Sequence, residues 1–348
     1  MATDVVDFDL AARVGVRLAP QGPHVDAAEA ADVVAELREL AALAVDPVRR
    51  TSGLTAGADT ATTVVVDRGQ WVRSNVVGFQ EVLSPLLEQM DQRMGGPSLA
   101  KEIGSRATGV ELGGVLGWLS GKVLGQYEAF VPAGSRPRLL LVAPNIVTVE
   151  RALDAVPRDF RLWVSLHEET HRVQFGAVPW LADQFRSEVH TFLMARGTPK
   201  DLVKRATALL GAIVAVARGA DTTALVTAIA SPAQQEALER ITALMTLLEG
   251  HADHVMDDVG PEVVPSVVQI RERFENRRHG ATGVDALARR FLGIDAKMKQ
   301  YADGAAFVRA VHDMAGLEGF NQVWNAPANL PSRAEIAEPS TWVTRVLS

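Results

Sequence analysis

His167-Glu168-Glu169-Thr170-His171 reads H-E-x-x-H. On a helix, residues four apart project from one face a turn apart, so both imidazoles can bind a single ion. Zinc suits imidazole nitrogen, and a catalytic zinc keeps one position open for water. That water needs a base, and Glu168, next to the first histidine, has the chemistry and the place for it. The chain contains no Cys, so any further protein ligand must be a histidine or a carboxylate.

Several residues compete to be the third ligand. The three-histidine version of the motif would need His six residues after His171, where Ala177 stands. Asp201 closes a G-T-x-x-D string that starts at Gly197, and Glu188 follows His171 at a distance suited to a compact carboxylate-liganded site. Glu249 is favoured on chemistry, because Asp253 lies i+4 from it and could hold the free ring N–H of a ligand histidine. Gly250, beside Glu249, permits close approach of another backbone. His254 is a candidate for stabilising charge near the metal, whereas His251 points to the opposite side of its helix as a packing or network residue. Tyr127, one of two tyrosines, is a further candidate for the site.

These residues need elements to position them. Asp159 is expected to cap a helix that carries the motif and breaks at Gly176 and Pro179. Ser231-Pro232-Ala233-Gln234 places an N-cap, a proline and a glutamine as a strong helix start, with the helix running through Glu249 to Asp253. Arg138 to Pro144 is an apolar run and the best strand candidate. Its proline suggests an edge or a turn. An edge strand there would put Val142, Ala143 and Asn145 beside an extended peptide substrate, while a plain core strand fits the run equally well. Upstream, Asp26 with Glu29 and Asp67 with Gln70 are capping signals for two helices, the first ending near Pro47. Residues 51–62 read as a loop. Gly109, Gly113, Gly117, Gly121 and Gly125 recur every fourth residue. Each costs a helix about 1 kcal/mol relative to Ala, so this stripe is expected to face a closely packed neighbour, such as the H-E-x-x-H helix.

The composition is that of a globular chain, 47% hydrophobic and 22% charged. A net charge of −7 argues against nucleic acid or an anionic membrane as the main partner. No signal-like N-terminus is present and the purest apolar run, Ala206 to Ala217, is too short to span a bilayer, so a cytoplasmic location is expected. The arginines from Arg271 to Arg290 read as a salt-bridged surface. Asn325 to Pro339 should run extended over the surface until Trp342 fixes the tail. The expected organisation is a helical N-terminal region, 1–135, packed on a zinc-binding region, 136–348, or both as one continuous domain.

The chain resembles the zincin-like, zinc-dependent metallopeptidases of actinobacteria, in the branch associated with biosynthesis of a deazaflavin coenzyme. The resemblance rests on Val123-Leu-Gly-Gln-Tyr127, Ala143-Pro-Asn-Ile146, the segment from Arg161 to His171, Leu248 to Asp253 and Phe320-Asn-Gln-Val-Trp324. It implies a mainly α (α+β) fold: a zincin-like core with its H-E-x-x-H helix, short edge strands and a helical N-terminal region. Two functions are compatible with it. One is a zinc peptidase with Glu168 as general base and a peptide or protein substrate. The other is a catalytically silent zinc-binding scaffold.

Overall fold

Apolar residues at helical spacing turn most of this chain into helix. The computed structural model describes residues 5–55, 61–94, 99–132, 134–193, 232–276 and 294–348. In chain order they form α1 (Phe8–Leu18), α2 (Ala27–Ser52), β1 (Thr62–Val66), α3 (Arg68–Met94), α4 (Leu99–Leu119), β2 (Gly125–Tyr127) and β3 (Arg138–Val142). There follow α5 (Ala143–Ala152), α6 (Pro157–Ala177), α7 (Leu181–Leu193), α8 (Pro232–Val259), α9 (Val267–Asn276) and α10 (Ile294–Asn321). The chain closes with two 3-10 turns, α11 (Arg333–Ala337) and α12 (Pro339–Leu347). The fold is mainly α with a small sheet, as expected. Asp201, the apolar run from 206 to 217, Ser231, Arg277, Arg278, Arg289 and Arg290 lie outside the described residues.

The sheet decides between the edge-strand and core-strand readings in favour of the core. Its order is β1-β3-β2, so β3 is central, parallel to β1 and antiparallel to β2. Leu139 to Val142 are all buried, with Leu141 in one hydrophobic cluster and Leu140 and Val142 in the other. Burial on both faces is why the run is continuously apolar rather than alternating. Pro144 does not end an edge strand; it sits in the first turn of α5, where its missing N–H costs nothing. The run Thr62-Thr-Val-Val-Val66, β-branched throughout, carried the signal for β1.

The glycine stripe does pack tightly, but against α1. A Cβ on Gly109, Gly113 or Gly117 would lie 2.5, 2.6 or 2.7 Å from the backbone oxygens of Asp7, Ala11 and Gly15. α4 ends at Leu119, and of the five glycines only Gly125, in β2, has an atom of the H-E-x-x-H motif against it.

Three further expectations change for physical reasons. α2 continues past Pro47 because Val48 and Ser52 are buried, and the exposed Leu43 can turn its carbonyl to water. Asp159 does not cap α6; it accepts a hydrogen bond from Ser266 N at 2.8 Å. The tail is helical rather than extended, since Ser332 and Glu335 form a capping box, although Trp342 is buried and donates to Asn329 O at 2.7 Å.

Two contacts matter for the site. Arg161 on α6 donates to Glu150 on α5 and to Glu36 on α2. α8 meets α10 backbone to backbone: a Cβ on Gly250 would lie 2.2 Å from the carbonyl carbon of Gly304. That is the close approach expected of Gly250.

Candidate metal centre

α6 turns His167 and His171 to one side, with their Nε2 atoms 3.2 Å apart. From α8, Glu249 Oε2 comes within 3.5 Å of His167 Nε2 and 3.9 Å of His171 Nε2. Ligand atoms about 2.0–2.1 Å from a tetrahedral zinc sit about 3.4 Å from one another. The three observed separations bracket that value, so the donor set fits one zinc-sized ion. Two imidazole nitrogens and a carboxylate oxygen are also donors that zinc accepts. The side chains are 13–20% exposed, which leaves the group partly open to solvent. Among the described residues no other group of three His, Asp or Glu converges in this way.

Glu168 is buried and lies against the end of β2. A Cβ on Gly125 would meet its Cγ, Cδ and Oε1 at 2.4–2.7 Å, so only a glycine leaves room for that carboxylate. Side chains alternate along a strand, so Gly125 and Tyr127 face α6 while Gln126 faces α3. There Gln126 exchanges two amide hydrogen bonds with Asn75, at 3.0 and 3.2 Å. Tyr127 stacks on Phe175, ring centroids 5.1 Å apart, one turn beyond His171. Burial raises the Tyr127 pKa, opposed by the nearby Arg172 guanidinium, so its phenol keeps its proton.

Asp253 does not play the expected part. Its carboxylate accepts from Arg271 Nη1 at 3.2 Å, and Arg271 also bridges to Asp257 at 2.6 Å. The charge-assisted partner from α9 claims the carboxylate that sequence spacing placed near a histidine. His171 Nδ1 instead meets Gln174 Oε1 at 2.8 Å, and His167 Nδ1 lies 3.3 Å from Met256 Sδ. Both residues went unnoticed in the sequence; the available signals were Gln174 at i+3 from His171 and Met256 at i+7 from Glu249.

His254 is turned away from the metal group, about 140° round α8 from Glu249. Its ring packs against His312 with centroids 4.6 Å apart, and its Nε2 is 3.6 Å from Asp258. His251 sits between Phe320 and Trp324, as a network residue should. Burial first, then the neighbouring histidines, pushes its pKa down to about 3, so it stays neutral. Burial also lowers His254 and His312.

The proposed substrate contacts Val142, Ala143 and Asn145 are corrected as well. Val142 and Asn145 are buried, and Ala143 opens α5. Asn145 accepts from Arg68 Nε at 2.6 Å and donates to Ser120 O and Val123 O at 2.8 and 2.6 Å. It therefore braces the turn that leads into β2. Glu188 is occupied by Gln184 and Arg240, at 2.8 and 2.9 Å.

A helix bearing H-E-x-x-H, a carboxylate from a second helix and a short strand laid against the motif glutamate are the parts of a zincin-type site. The chain belongs to the Zincin-like metallopeptidase family, whose model matches residues 6–343. It is also similar to a protein of known crystal structure from Chloroflexus aurantiacus, described as a candidate hydrolase with a novel fold. The two share 31% identity over 98% of each chain, with a TM-score of 0.68. No curated protein matches the chain. Among the described residues, no helix is long and apolar enough to cross a membrane.

Proposed function

We propose that this protein is a zinc-dependent peptidase that cleaves an extended peptide laid beside β2. The observation that carries the reading is the convergence of His167, His171 and Glu249 at zinc-ligand spacing, with Glu168 seated against β2. Cysteine-free, three-ligand sites are the kind that keep a position for water, whereas structural zinc sites close with four protein ligands. A bound zinc would polarise the scissile carbonyl and make water a better nucleophile at neutral pH.

The chain's own groups do the rest. Glu168 takes a proton from the attacking water as its oxygen bonds to the carbonyl carbon. It then returns that proton to the amide nitrogen as the C–N bond breaks. Tyr127, kept protonated, supplies a hydroxyl donor for the carbonyl oxygen as it gains charge. Among the described residues β2 pairs with β3 along one edge only, and its other edge is the place for a substrate backbone to add as a further strand. The negative net charge makes nucleic acid and anionic membranes poor partners. The motif strings also resemble those of the actinobacterial branch associated with deazaflavin coenzyme biosynthesis, a resemblance of sequence that assigns no substrate.

The test is turnover of a peptide library by zinc-loaded protein and by Glu168→Gln. Cleavage by the parent alone supports the reading. Two inert, zinc-bound proteins would identify a zinc scaffold instead.

A further inference from the structure

We infer that Gln174 is a positioning residue that selects the metal-binding tautomer of His171, and that it takes its instruction from the backbone of the other ligand helix. The inference rests on the metal site proposed above.

An amide has one accepting end and one donating end, and a neighbour with a single role decides which way round it sits. For Gln174, fully buried on α6, that neighbour is the carbonyl of Leu248 on α8, which can only accept. It lies 2.9 Å from one end of the amide, so that end is the NH2 group. The second hydrogen of the same NH2 group is directed at His251 Nδ1, also at 2.9 Å. Turning the amide over would set oxygen against oxygen at Leu248 and lose that bond.

The other end is therefore Oε1, 2.8 Å from His171 Nδ1. An oxygen at that distance requires a hydrogen on Nδ1. A neutral imidazole carries one N–H, so Nε2 keeps its lone pair, and Nε2 is the atom that faces His167 and Glu249. An unconstrained histidine prefers its proton on Nε2, which is the wrong form for this site. Gln174 reverses that preference with a neutral group, adding no charge to a site that already holds Glu249. Leu248 directly precedes Glu249, so the docking of α8 on α6 delivers one ligand and prepares another in the same step.

The test begins with the full-length, metal-free, 15N-labelled protein at about pH 8, above the ordinary histidine pKa of about 6.5. His171 should show a protonated Nδ1 and a bare Nε2. Gln174→Met, which keeps the volume and loses both roles, should move the proton toward Nε2 and weaken zinc by roughly 10–100-fold in chelator competition. A parent protein with His171 protonated on Nε2, or a Met variant with the parent's tautomer and zinc affinity, would overturn the inference. Should the Met variant fail to fold, the parent's tautomer alone decides. A parent that takes up no zinc would overturn the metal reading, a result kept apart from this one because the tautomer is read without metal.

Discussion

Gly125 and Glu168 are in such close contact that a Cβ on the glycine would sit 2.4 Å from the carboxylate carbon. One end of β2 is thereby built around the residue that our mechanism needs as a base. Gly125 has no positive φ, so the close contact rather than the backbone conformation makes glycine necessary.

Gly125→Ala should consequently push Glu168 out of place while leaving the metal ligands alone. A shift of about 1 Å at a reacting group can cost about 100-fold in rate. We expect a loss of that order in kcat/KM with zinc content unchanged. A variant as active as the parent would separate Glu168 from the chemistry.

Metal analysis of protein purified without chelator should find about one zinc per chain, as a three-ligand site requires. His167→Ala and His171→Ala should lose it, and Glu249→Ala should weaken it more than any other carboxylate variant. Glu188→Ala should keep its zinc, because that side chain is already paired with Arg240. Zinc retained by Glu249→Ala but lost from Glu188→Ala would show the ligand assignment to be wrong.

Asp253→Asn should change zinc affinity little, since the carboxylate serves Arg271 rather than a ligand histidine. A loss equal to that of Glu249→Ala would return Asp253 to the metal.

Gly250→Ala should destabilise the protein. Its Cβ would meet the backbone of Gly304, which has no side chain to move aside. Overpacking of this kind costs about 1–3 kcal/mol. The denaturant midpoint of the metal-free variant should fall accordingly, and an unchanged midpoint would mean that the two helices can part freely.

The buried His251 and His254 and the half-buried His312 should make the metal-free protein sensitive to acid. All three are held below the ordinary histidine pKa, chiefly by burial. Below about pH 6.5 the unfolded chain therefore binds more protons than the folded one, and stability falls with pH by up to about 1.4 kcal/mol per unit for each proton. For His251 the window extends down to about pH 3. Denaturant unfolding at several pH values should give a shallower slope for His312→Leu than for the parent. Equal slopes would remove His312 from the account.

Residue identity and helical period by themselves determined a large part of this protein. The shared face of His167 and His171 was legible because side chains one turn apart on a helix are a local fact, independent of the rest of the fold. Glu249 could be chosen, and Gly250 read as a point of close approach, because both follow from chemistry and the shape of one helix. The capping pair Asp67 and Gln70 closed as the sequence implied, with reciprocal bonds of 2.7 and 2.9 Å. Tertiary structure decided what spacing along one chain cannot. Asp253 had the right position on α8, but Arg271 arrived from α9 and took its carboxylate, leaving Gln174 to face His171. The glycine stripe announced a close neighbour without naming it, since a bare helix face accepts any backbone that fits, and α1 fitted. β3 could be read as an edge strand or a core strand until β1 and β2 paired with both of its sides. In each case a local pattern states what a group can do, and only the elements packed against it decide which of those things it does.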